Sequence, residues 1–188
     1  MRRDFGVAFI TQCAPVMAGI KPANLFRWVE PDAASMHKTL AVWRSQLASR
    51  GVKIQVLKAC SLTSAFLIYV YRANRLREIL QRTEVQAYLA EAGYGTGPLE
   101  SQLAHLSSRL CTEAEFPHEI GIFLGYPLED VVGFVQNKGK NYTCKGYWKA
   151  YGDPDAARAR FAQYRKCTEV YLRCYRSGFT PTRLTVAV

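Results

Sequence analysis

At 188 residues, with 49% hydrophobic, 12% aromatic and 21% charged side chains, the chain has the size and composition of a single globular domain. Disorder, a collagen-like fibre and a heptad rod are excluded, because each needs a composition far from these values. The 25 Lys and Arg against 15 Asp and Glu give a formal charge of +10, concentrated at the two ends: residues 1–60 and 121–188 each net +6, whereas residues 61–120 net −2.

Asp32 to Arg50 places Met36, Leu40, Trp43 and Leu47 at helical spacing, with Gly51 following as the residue past the end, so the spacing predicts an amphipathic helix. Val52 to Leu57 alternates apolar and polar, and Ala65 to Tyr71 is a β-rich apolar run. With Cys60 to Ser64 as the turn, the two predict a hairpin. Ala73 to Cys111 is helical in pattern, broken near Arg82-Thr83 and at Gly93 to Pro98, with Leu99, Leu103, Leu106 and Leu110 on one stripe; two or three helices are expected.

Ile120 to Leu124 reads as a short buried strand, Gly125-Tyr126-Pro127 as a turn, and Leu128 to Lys138 as a helix with Glu129 and Asp130 in its first turn and Gly139 past its end. Gly146 to Tyr151 alternates like a strand. Asp153 can cap a helix with Pro154 at its first position, and Ala157, Phe161, Tyr164, Tyr171 and Cys174 carry that helix to Gly178. Leu184 to Val188 closes as a strand. The order strand, helix, strand, helix, strand implies parallel crossovers, so the expected fold is α/β: a single domain over residues 1–188, with a mixed sheet, this C-terminal parallel unit, an added hairpin and several helices.

The longest apolar run, Ala65 to Tyr71, falls far below the roughly 20 residues that span a bilayer, so no membrane span is expected. The start Met1-Arg2-Arg3-Asp4-Phe5 resembles a twin-arginine signal, but Thr11 and Gln12 end the apolar stretch after Gly6 to Ile10, too early for a signal core. Cys13, Cys60, Cys111, Cys144, Cys167 and Cys174 contain no CxxC and are too widely spaced for a disulfide framework or a zinc module. Reduced thiols and a cytoplasmic location are the expectation, and no metal site is predicted.

The stretch from Phe116-Pro117-His118-Glu119 through Gly121, Gly125-Tyr126-Pro127-Leu128-Glu129-Asp130-Val131, Gly133-Phe134 and Asn137-Lys138-Gly139 to Gly146-Tyr147-Trp148-Lys149 and Tyr151-Gly152-Asp153 resembles the signature of domain of unknown function family 3793. Cys13-Ala14-Pro15, Ala18-Gly19, Asn24-Leu25-Phe26 and Tyr164-Arg165-Lys166-Cys167 resemble the same family, so the likeness covers nearly the whole chain. It implies a bacterial, mainly anaerobe-associated protein with a folded N-terminus, and carries over no activity. The family's association with flavodoxin-like and iron-uptake proteins implies an iron or redox context and a flavodoxin-like redox partner. Members resemble His-Cys-Ala-Pro where this chain has Gln12-Cys13-Ala14-Pro15, which removes a histidine that could pair with the thiol.

Three sets of candidate residues follow. Gly125 and Tyr126 leave the expected strand and open a helix, where backbone N–H groups and the helix dipole suit a phosphate or carboxylate; the exit of the next expected strand, Tyr151, would share that crevice. Lys138, Lys140, Lys145 and Lys149 alternate with Tyr142, Tyr147, Trp148 and Tyr151, and no acid lies between Val131 and Gly152; cations interleaved with aromatics can hold an anion while stacking a planar group. Cys13, in a segment expected to be irregular, is the candidate nucleophile, with His118 and Glu119 as candidate proton partners or structural hydrogen-bonding residues. The first reading is therefore a binding or accessory protein for a small anionic or planar ligand through Gly125, Tyr126, Lys138, Lys140, Lys145, Trp148, Lys149 and Tyr151. The others are a thiol-dependent enzyme or redox protein using Cys13, and a nucleic-acid binder through the Lys138 to Lys149 segment. No particular cofactor is indicated.

Overall fold

A computed structural model of the chain describes residues 4–112 and 115–187. Its centre is a three-stranded antiparallel sheet of β1 (Ala23–Val29), β2 (Val52–Cys60) and β3 (Ala65–Arg72), in the order β1-β3-β2. The β2–β3 hairpin expected from alternation is present, with Ile54 opposite Val70 and Cys60 opposite Ala65. A bulge at Leu57 shifts the register between Val56 and Lys58, so Val52, Ile54 and Val56 face one side and Leu57 the other. β1 pairs with β3 from Ala23–Tyr71 to Val29–Ala65. Central β3 is covered on both faces, which explains why its sequence is a continuous apolar run.

One face carries α1 (Phe5–Met17), α2 (Ala33–Ala48), the long α8 (Pro154–Arg176) and the short α9 (Pro181–Leu184). Met36, Leu40, Trp43 and Leu47 of α2 form the predicted stripe, and Asp32 caps it by accepting from Ala34 N at 3.0 Å. Phe9 and Trp43 meet at 4.2 Å between ring centroids, over Phe26, Ile68 and Val70 of the sheet. The opposite face carries α3 (Ala73–Leu80), α4 (Thr83–Glu91), α5 (Leu99–Thr112) and α6 (Ile120–Phe123). The breaks between α3, α4 and α5 fall at the expected positions. Leu103, Leu106 and Leu110 of α5 pack with Tyr69, Leu76 and Phe123, and the buried Tyr69 hydroxyl donates to the Phe123 carbonyl.

Arg72 ties the layers together at the end of β3. Its guanidinium donates to the carbonyls of Val16, Met17, Arg50 and Val186, joining the end of α1, the turn before β2 and the C-terminal segment. Burial lowers its pKa, and neighbouring Arg75 adds to the effect.

The expected parallel unit is not found: every strand pairing among the described residues is antiparallel. Ile120 to Leu124 is the single helical turn α6, because the chain already begins to wind at Pro117, whose carbonyl accepts from Ile120 N. A five-residue apolar run has no period that separates a buried strand from a buried helical turn. Gly146 to Tyr151 is the tip and second arm of a two-residue-per-strand hairpin, β4 (Cys144–Lys145) with β5 (Lys149–Ala150). Leu184 ends α9, which Thr180 caps and Pro181 opens, and residues 185–187 form no strand. Val188, the last residue of that expected strand, and Met1 to Arg3 of the twin-arginine-like start lie outside the described residues. The Cys-Ala-Pro segment, expected to be irregular, is helical: Cys13, Ala14 and Pro15 are buried in α1.

Candidate functional site

α7 (Leu128–Gln136) and the β4–β5 hairpin form a small subassembly against α8, and Asp130 holds it together. This first-turn carboxylate is turned inward and only 4% exposed. It accepts from Trp148 Nε1 at 2.7 Å, from Tyr151 N at 2.6 Å and from Gly152 N at 3.0 Å. Charge-assisted bonds of this kind are the strong ones, and three on one buried carboxylate fix the hairpin to the helix. The glycines make the approach possible: a Cβ on Gly133 would stand 2.5 Å from the Tyr151 ring, and one on Gly146 would stand 2.2 Å from the Phe161 ring. With the hairpin thus placed, the Trp148 indole stacks on Tyr126 at 4.8 Å and meets Phe161 edge-on at 4.5 Å. Burial pushes the Tyr126 hydroxyl up to about 12, with Tyr164 adding to the shift.

Between α6, α7 and the hairpin tip lies a cleft of about 360 Å³. Phe116, Phe134, Tyr147 and Trp148 supply its aromatic walls, and Ile120, Leu124 and Val131 its floor. Phe116 is 50% and Tyr147 43% exposed, so two large aromatic side chains are left open to water on a concave surface. Lys145 lines the mouth and is exposed, with no ion pair among the described residues. Lys149 also lines the cleft, but its ammonium donates to the Gly139 carbonyl at 2.7 Å and sits over the rings of Phe134 and Tyr142. The arrangement offers stacking surface for a flat molecule and one uncommitted cation beside it.

The cleft brings together part of the expected set. Tyr126, Lys145, Trp148 and Lys149 line it, as does His118, whose ring lies 5.0 Å from that of Phe134. Gly125 does not: its positive φ of 77° places it against Pro22, in a neighbouring cleft. Tyr151 packs over Gly133 behind the Asp130 clamp, and Lys138 and Lys140 are exposed on the loop after α7, outside the lining.

Cys13, His118 and Glu119 are not assembled. Cys13 is fully buried among the α1 side of the core, and burial pushes its thiol far above the ordinary value, with nearby Lys21 acting in the opposite sense. Glu119 lies on the other side of the sheet, buried, accepting from Tyr94 Oη at 3.0 Å and paired with Arg109 Nε at 3.2 Å. It points away from the cleft that its neighbour His118 lines. Among the described residues no cluster of three metal-ligating side chains occurs, and no helix is long and apolar enough to cross a membrane.

A family profile described as a protein of unknown function (DUF3793) matches residues 9–185. The chain belongs to this family. No curated protein and no solved structure matches it. The residues that carry the DUF3793 resemblance in the C-terminal third acquire a physical role here: Asp130, Gly133, Gly146, Trp148 and Gly152 are the parts of the clamp that shapes the cleft. Sequence reasoning assigned Asp130 only to the helix dipole and passed over Phe116 and Phe134 as cleft walls. The available signal was the pairing of an inward-facing first-turn acid with an indole and two consecutive N–H groups some twenty residues on.

Proposed function

We propose that this DUF3793 protein is a binding or accessory protein whose cleft between α6, α7 and the β4–β5 hairpin holds a small planar molecule carrying negative charge. The observation that supports this reading is the combination of exposed Phe116 and Tyr147 with uncommitted Lys145 around one preformed cavity. Flat apolar surface would enter between the aromatic walls, and an anionic substituent would meet the Lys145 ammonium at the mouth. The cleft needs no covalent chemistry for this. His118 adds a ring that can donate or accept a hydrogen bond at the same rim.

Anilinonaphthalene sulfonate is a suitable probe, being aromatic and anionic. Titrated into the folded full chain, it is expected to bind saturably with one site. Phe116→Ala removes one wall and Lys145→Glu reverses the charge; each should raise Kd by roughly tenfold, the equivalent of about 1.4 kcal/mol. Absence of saturable binding, or affinities indifferent to both changes, would overturn the proposal.

A further inference from the structure

A third cleft, of about 750 Å³, opens at the edge of the sheet where β2 and α3 begin, and its lining is strongly cationic. Arg44, Lys53, Arg72, Arg75 and Arg77 line it against a single lining carboxylate, Glu78. Arg72 is 2% exposed, and its four acceptors are all backbone carbonyls; among the described residues no carboxylate neutralises it. Arg72 also occupies the N-cap position of α3, where it gives no side-chain capping bond, and the first turn of that helix contains no acid. A helix N-terminus carries partial positive charge and is stabilised by anions, yet here Arg72 and Arg75 surround it. Arg75 has no hydrogen bond or ion pair among the described residues. Lys53 reaches only Glu100, at 3.9 Å, and Arg77 meets the same carboxylate at 3.8 Å while donating to Asn74 Oδ1 at 3.0 Å; these side chains are open to water, held too loosely to keep them from a better partner.

A buried guanidinium without a carboxylate partner, beside loosely paired cations lining the same cleft, is a charge arrangement completed by a compact polyanion. We propose that this cleft is a binding site for an oligophosphate group, with Arg75, Arg77 and Lys53 contacting phosphate oxygens above the fixed charge of Arg72. Arginine suits this ligand because its planar fork donates two parallel bonds to neighbouring oxygens. The site is separate from the aromatic cleft and does not depend on what that cleft holds.

Calorimetric titration of the full chain with inorganic tripolyphosphate at about 150 mM salt, where diffuse surface attraction is screened, tests the assignment. One saturable site is expected, with Kd raised at least about tenfold in Arg75→Ala/Arg77→Ala and unchanged in Arg82→Ala/Arg160→Ala, which alters only the neighbouring cleft. Arg75, Arg82 and Arg160 are exposed and Arg77 half-buried, and circular dichroism verifies that each variant is folded. A nucleoside triphosphate binding more tightly than tripolyphosphate would identify a nucleotide as the source of the phosphates, and equal affinity would identify an inorganic one. The assignment is overturned if tripolyphosphate does not bind, if both double variants weaken it equally, or if single-stranded RNA alone binds with affinity that collapses as salt rises.

Discussion

Replacing Asp130 by alanine removes one carboxylate and leaves three donors facing an apolar gap: the Trp148 indole N–H and the backbone N–H groups of Tyr151 and Gly152. A buried donor without a partner costs about 1–3 kcal/mol, and water entering from the adjoining cleft can satisfy part of that loss. Taking about 1 kcal/mol for each of the three gives a destabilisation of roughly 3 kcal/mol, a fall in Tm of about 6–12 °C for a chain of this length. Asp130→Asn should cost about half as much, because its amide oxygen still accepts from the two backbone groups while its NH2 group opposes the indole. Urea unfolding gives the free energies. Native-state tryptophan emission, compared between parent and variant in a Trp28→Phe/Trp43→Phe background, reports the site itself, since Trp148 would lose its hydrogen bond and its fixed stack on Tyr126. If the alanine variant unfolds within 1 kcal/mol of the parent and its emission is unchanged, the carboxylate is not the clamp described here.

Two further outcomes follow from burial. Cys13 is sealed in α1 whereas Cys111 is exposed, so iodoacetamide at mildly alkaline pH should label Cys111 readily in the native chain and Cys13 only after unfolding; rapid native labelling of Cys13, read by peptide mass spectrometry, would contradict its placement. Lys21 is 2% exposed, bonded to Asn24 Oδ1 at 2.5 Å and set over the Tyr126 ring, and burial brings its pKa down to about 8 from 10.5, Cys13 acting the other way. Between those values the unfolded chain binds the proton more fully than the folded chain, so this residue makes stability rise with pH from about 8 upward. Lys21→Met should flatten that slope in urea titrations between pH 8 and 9.5, where the thiols and tyrosines common to both proteins contribute to each curve and the difference between the curves isolates this residue; an identical slope in both proteins would refute the placement.

Local signals in the sequence were sufficient wherever an element's own periodicity and caps decide its form. α2 shows its stripe of Met36, Leu40, Trp43 and Leu47 with Asp32 before it and Gly51 after it, and these features act within one or two turns of chain. The breaks near Arg82 and Gly93, the β2–β3 hairpin and the Asp153–Pro154 start of α8 are legible for the same reason. Lys145, Trp148 and Lys149 are legible as a cationic aromatic segment and Tyr126 as a turn residue, but parallel strand exits, which would join that turn to Tyr151, are not what brings the segment and the turn together.

Tertiary structure decided what short segments become and which distant groups meet. The apolar run at 120–124 carries no usable period, so its winding is settled by the turn from Pro117 and by burial against α3 and α7. The sequence determined a basic α/β chain with most of its helices and the β2–β3 hairpin, because propensity and amphipathic spacing operate over neighbours. It did not determine the cleft, because a carboxylate on α7 selects its indole and backbone partners only once folding has removed water and brought residues some twenty positions apart into hydrogen-bonding range.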